Sequence, residues 1–187
     1  MDAAPAFTAV LFGLRGCLVH AASGTPSPAP GALAALASLR QRQVPCIWLD
    51  DLDLEHGKRL AQVLPAWLPG QALNGARSAA PNACWQALMA LESERLEGSV
   101  LVSGDPCLLQ SGLNAGLWTV GLAACSPFCD HSSRQWQAMT PQEQDLARGK
   151  ATLELFSLGV HSVIDHLEAL ATCLEDIAQR RRKGEKP

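Results

Sequence analysis

Short apolar runs alternate along the chain with stretches in which apolar residues return every three or four positions. The runs Ala9–Phe12, Pro45–Leu49, Ser99–Ser103 and Trp118–Leu122, rich in β-branched or aromatic residues, predict strands. A weaker run lies near Ala72–Asn74, and a sixth, Ser162–Ile164, ends at Asp165. Between them the helical period marks Gly31–Gln43, with Leu33, Leu36 and Leu39 as its apolar stripe, then Leu54–Leu64, Ala83–Leu91, Pro141–Leu158 and His166–Arg180. Leu108–Asn114 reads as a turn, and the prolines of Ala21–Pro30 mark a linker of ten residues, because proline cannot sit inside a helix. Alternation of strand and helix is the signature of βαβ units around a parallel sheet.

Length sets the domain count. At 187 residues the chain suits one domain with a proper core, so we expect a single three-layer α/β domain over residues 1–180 and a basic flexible tail over 181–187, "RRKGEKP". Hydrophobic content of 48% with 18% charged residues is ordinary for a globular chain, and a net charge of -3 argues against nucleic acid or an acidic membrane as partner. No apolar run reaches the length of about 18 residues that a spanning helix needs. The N-terminal "MDAAPAFTAV" lacks the basic region of a secretory signal, so the expected location is cytoplasmic. Seven cysteines are scattered rather than set in a framework, and read as small core residues of a reducing compartment.

Chemistry is sought where the strands end. In an open parallel sheet, ligands bind beyond the carboxyl ends of the strands. Those ends carry Gly13, Arg15, Gly16 and Cys17 after the first strand, Asp50 and Asp51 after the second, Gly104 and Asp105 after the fourth, and Asp165 after the last. Carboxylates gathered there could hold a hard cation such as Mg²⁺.

"AVLFGLRGCLV" together with "VSGDPCLLQSGLNAGLWTVGL" resembles the first and last signatures of the haloacid dehalogenase superfamily. The wording "GLNAGLWTVG" and the order of the C-terminal region are similar to its phosphonoacetaldehyde hydrolase, or phosphonatase, branch. The resemblance implies a Rossmann-like α/β core and Mg²⁺-dependent attack on phosphorus by an aspartate. It also implies that the nucleophile's position is Gly13, the acid/base position Arg15 and the following threonine Cys17. Asp105 stands at a metal-ligand position, and Leu109 stands where a second acid belongs. Leu49 or Asp50 takes the place of a phosphate-binding hydroxyl, and Arg77 matches a cation that neutralises phosphate. The branch's helical cap, with its Schiff-base lysine, has no room in Ala21–Pro30, so a core without a sizeable cap is expected.

A glycine supplies no nucleophile. The expected function is therefore a catalytically degenerate relative kept for binding or regulation. The alternative is a hydrolase of low or altered activity on a small phosphorylated molecule, with Mg²⁺ as cofactor only in that case. Its partners would be a small anion held by Arg15 and Arg77, or a protein. Because a guanidinium is permanently charged and pairs readily with carboxylates, Arg15 is expected to bind Asp105 or Asp50 and fill the metal position.

The remaining residues keep two readings each. Asp105 and Asp50 are candidate metal ligands, but Asp105 also suits a cap of the following turn, and Asp50, Asp51, Asp53 and Glu55 suit an acidic helix start. Cys17 is a substitute nucleophile or a buried thiol. Cys125, Cys129 and His131 in "CSPFCDH" form an incomplete soft-metal set. His161 and His166 are expected to be satisfied polar positions.

Overall fold

Eight strands are found in the computed structural model, which describes residues 6–20, 25–73, 79–129 and 133–187. In chain order they are β1 (Ala9–Gly13), β2 (Val19–His20), β3 (Ser27–Pro28), β4 (Cys46–Asp50), β5 (Gly70–Ala72), β6 (Ser99–Ser103), β7 (Trp118–Leu122) and β8 (Ser162–Ile164). Six of them build one sheet in the order β5-β4-β1-β6-β7-β8, with every neighbouring pair parallel. The helices are α1 (Ala32–Gln41), α2 (Leu54–Leu60), α3 (Asn82–Ala90), α4 (Pro106–Asn114), α5 (Ser133–Ala138), α6 (Pro141–Ser157) and α7 (Leu170–Arg182).

The three layers follow from alternation along the strands. Val10 and Phe12 of β1 point into one core with Leu36 and Leu39 of α1 and Leu174 and Ile177 of α7. Ala9 and Leu11 point the other way, toward Leu88 of α3 and Leu108 of α4. A third cluster joins Leu109 of α4 to Ala151 and Leu155 of α6. Both faces of the sheet are covered, which is why its five-residue strands are buried along their whole length.

Several expectations are corrected. Leu108–Asn114 is the body of α4, not a turn, because Asp105 caps it and Pro106 occupies its first position, where a missing N–H costs nothing. Leu33 is 46% exposed, so the α1 stripe is Ala32, Leu36 and Leu39. The proposed linker contains β3, which pairs antiparallel with β2, and Ala21–Ala22–Ser23–Gly24 lies outside the described residues. β5 runs over Gly70–Ala72, and Asn74 is likewise outside the described residues. Helix α7 continues two residues into the expected tail, where Arg181 donates to the Ala6 carbonyl and lies over the Phe7 ring. Between β1 and α1 the described residues hold this small hairpin and no large cap.

Candidate functional site

Strand order places the site. The chain steps from β1 outward to β4 and β5, then returns to β6 on the other side of β1, so the carboxyl ends of β1 and β6 flank the crevice where such sheets bind ligands. Gly13 ends β1 and Ser103 ends β6. A Cβ added at Gly13 would lie 2.7 Å from Ser103 Oγ, so the Ser103 hydroxyl fills the space that a side chain at Gly13 would enter. That hydroxyl accepts from the Asp105 backbone N–H at 3.0 Å. The segment after β7 closes the crevice from above. The Cys125 carbonyl oxygen would sit 3.1 Å from a Cβ at Gly16, where φ is +65°, and 2.6 Å from one at Gly104. Only glycine admits this approach.

Beyond Gly13 the chain turns tightly. Leu18 and Val19 N–H groups donate to the Leu14 carbonyl, and Gly16 N–H donates to that of Val19. This turn aims Arg15 at the end of β4. Its Nε lies 3.0 Å from both oxygens of Asp50, its Nη2 donates to Asp50 Oδ1 at 2.7 Å, and its backbone N–H donates to Oδ2 at 3.3 Å. Nη2 also donates to Asp51. The Asp50 side chain is 3% exposed and that of Arg15 38%. Leu52 N–H donates to Asp50 Oδ1 at 2.9 Å, so the Asp50 carboxylate is surrounded by donors.

The structure thus selects Asp50 as the partner of Arg15 and rejects Asp105. Asp105 caps α4, its Oδ1 accepting from Cys107 N–H at 2.8 Å. The charge of Arg15 is balanced by two carboxylates, and a cluster with one cation and two anions does not attract a further anion. Arg77, the other arm of the expected clamp, lies outside the described residues, as does His131 of the soft-metal set. Asp53 caps α2, accepting from Glu55 and His56 N–H at 3.0 Å, as the helix-start reading anticipates.

Cys17 is a core thiol. It is fully buried, it donates to the Val102 carbonyl at 3.4 Å, and burial, reinforced by Cys125, pushes its pKa well above the ordinary thiol value. Burial also raises Cys125, to about 11. Neither thiol is an activated nucleophile. His161 accepts from Thr119 N–H through Nδ1 at 3.0 Å, whereas His166, expected to be satisfied, has a buried Nδ1 without a partner among the described residues. Asp165 faces Arg148, 3.7 Å away, rather than Arg15.

These residues do not fit Mg²⁺. The ion requires several oxygen ligands in near-octahedral array. Here Asp50 is saturated by Arg15 and Leu52, Asp105 is committed to a cap, and Gly13 has no side chain. Among the described residues no group of three or more His, Cys, Asp or Glu side chains could hold a metal ion.

No family model matches the chain. Phosphonoacetaldehyde hydrolase of Klebsiella pneumoniae is 29% identical over 173 residues, which are 92% of this chain and 57% of that protein. The crystal structure of a phosphonoacetaldehyde hydrolase-like protein from Oleispira antarctica superposes with a TM-score of 0.75 at 25% identity, covering 87% of this chain and 61% of that one. In sequence and in fold the chain is similar to the haloacid dehalogenase-like superfamily, and within it to the phosphonatase-like branch. It spans little more than half the length of its Klebsiella relative. A further crystal structure, 53% identical, matches it with a TM-score of 0.89 over 97% of this chain and the whole of that one.

Sequence reasoning missed Ser103 and the part played by Asp51. Ser103 directly precedes Gly104 and Asp105 in "VSGD", so its place at a strand end was visible. Its contact with Gly13 was not, because that contact depends on β6 lying beside β1.

Proposed function

We propose that this chain is a non-hydrolytic member of its hydrolase family, kept for binding or regulation rather than turnover. The observation that carries the reading is the Arg15 guanidinium seated in the Asp50 carboxylate. A family enzyme would keep an acid/base at the Arg15 position and a cation nearby. Here a permanent charge fills that space, and it cannot transfer a proton at neutral pH. Gly13 offers no nucleophile, and its open side is taken by Ser103. Cys17 is buried as a neutral thiol and is no substitute.

The reading extends to partners and location. A protein is the favoured partner, since the paired Arg15 leaves little to attract a free anion. Seven free cysteines suit a reducing compartment, which favours the cytoplasm. Among the described residues no helix is long and apolar enough to cross a membrane.

The test is a phosphatase and phosphonatase screen with Mg²⁺ on the wild type and on Asp105→Asn. Background rates in both are expected. Turnover by the wild type that Asp105→Asn abolishes would overturn the proposal in favour of a Mg²⁺-dependent hydrolase.

A further inference from the structure

The helical layer made by α3 and α4 carries no charge. Neither "NACWQALMA" nor "PCLLQSGLN" holds an acidic or basic residue, whereas α6 carries charges of both signs. Cys84, Ala87 and Leu88 seat α3 on the sheet. On its outer side Trp85 is 46% exposed and Met89 69%, four residues apart and hence on one face. The Trp85 Nε1–H donates to the Ala115 carbonyl at 3.4 Å, which lays the ring against the end of α4.

Leu96, 44% exposed, comes to the same place, since a Cβ added at Gly116 would lie 3.6 Å from its Cδ2. It is brought there by the turn that ends α3. Glu92 takes the left-handed conformation at φ +53°, Ser93 N–H donates back to the Leu88 carbonyl, and Ser99 N–H holds the Leu96 carbonyl at 3.1 Å. Trp85, Met89 and Leu96 therefore form one apolar surface around Ala115 and Gly116. A helix facing only water presents polar residues, and exposed Trp and Met in an uncharged field are the composition of an interface core.

We propose that this surface docks an amphipathic helix of a partner protein, apolar on its inner face and basic along its flank. The inference deepens the binding reading above and rests on it. Charge at the rim chooses the occupant. Glu92 and Glu94 are exposed and make no ion pair, and the one cation between them and Glu97 is Arg95. Glu97 already lies near the Arg181 charge of α7. The rim left to a partner is acidic, so it attracts a basic flank and repels an anionic lipid surface. A second copy would bring the same acidic rim with it. An apolar row spaced i, i+4, such as Trp85 and Met89, packs against the matching row of another helix.

Fluorescence polarisation on the full chain tests this with two labelled helical peptides of about 18 residues, long enough to close several turns. Both carry leucine on one face; one has lysine on the other face and one has glutamate. The lysine peptide is expected to bind at least about tenfold more tightly than the glutamate peptide. Trp85→Ser/Met89→Ser is expected to lose at least about tenfold in affinity for it, and Met89→Ser alone, at an exposed position that cannot unfold the domain, about threefold. Glu92→Gln/Glu94→Gln is expected to weaken it about three- to tenfold. Leu146→Ser/Leu153→Ser, on the exposed face of α6, is expected to bind as the wild type does. No binding of either peptide, equal binding of both, a Met89→Ser variant that binds like the wild type, or equal loss in the α6 variant would each overturn the proposal. Peptide binding is indifferent to turnover, so this test and the phosphatase screen fail separately.

Discussion

Replacing Arg15 with alanine tests whether its guanidinium does the work of a bound cation. The substitution removes the Nε and Nη2 donors and leaves the buried Asp50 carboxylate with two backbone donors, Arg15 N–H at 3.3 Å and Leu52 N–H at 2.9 Å. Removing one partner of a fully buried pair costs about 3–5 kcal/mol. Arg15 is 38% exposed and Asp50 3%, so water screens one end of the pair, and we expect about 2–3 kcal/mol. For a domain of this size each kcal/mol lowers the midpoint by about 2–4 °C, which gives a fall of about 4–12 °C. The second effect is more telling. With the guanidinium gone, Asp50 and Asp51 become neighbouring carboxylates that no longer share the Arg15 cation, and Mg²⁺ at ten times its Kd should return about 1.4 kcal/mol to Arg15→Ala and nothing to the wild type. Thermal melts of both proteins with and without Mg²⁺ read the two effects together. Arg15→Lys should recover only part of the loss, because an ammonium cannot make the forked contact. If Arg15→Ala melts with the wild type and ignores Mg²⁺, the ion pair neither holds the site together nor fills a cation's place.

Three further outcomes follow from the same geometry. Gly13→Ala should cost about 2 kcal/mol by pressing on Ser103 Oγ, while Gly13→Ala/Ser103→Ala should cost clearly less than the sum of the two single changes; urea melts of the four proteins give the coupling. Native Cys17 should resist iodoacetamide at neutral pH and react only after unfolding, as peptide mapping of alkylated samples would record. His161 is held below the ordinary imidazole pKa, first by burial and then by the nearby Arg180 charge, and its Nδ1 must stay unprotonated to accept from Thr119. Its contribution is therefore fully present above the unfolded value of 6.5 and is lost as pH falls from there through the lower folded value. His20 is lowered as well, by burial and then by His166, and acts in the same direction, so His161→Gln should flatten part of the fall in midpoint between about pH 7 and pH 5, not all of it.

The sequence by itself determined the elements and the class of fold. The bounds Ser99–Ser103, Trp118–Leu122 and Ser162–Ile164 coincide with β6, β7 and the half-buried edge strand β8, because strands of a covered parallel sheet are short, mostly apolar runs with abrupt ends. It also placed Gly13 and Arg15 at the end of the first strand, since a motif's spacing is a local property. Residues 108–114 are too few to show a helical period, and helix α4 is held by the Asp105 cap and by Leu108 and Leu109 packing on two different clusters. What the tertiary structure alone decided is which partner each charged group takes. Arg15 chose Asp50 over Asp105, 35 residues apart against 90, because β4 and β6 flank β1 on opposite sides and the turn after Gly13 points toward β4. In the same way, a serine far from Gly13 in sequence occupies its empty side. Periodicity is carried by neighbours along the chain, whereas ion pairs and filled cavities depend on distances that exist only after the strands have been laid side by side.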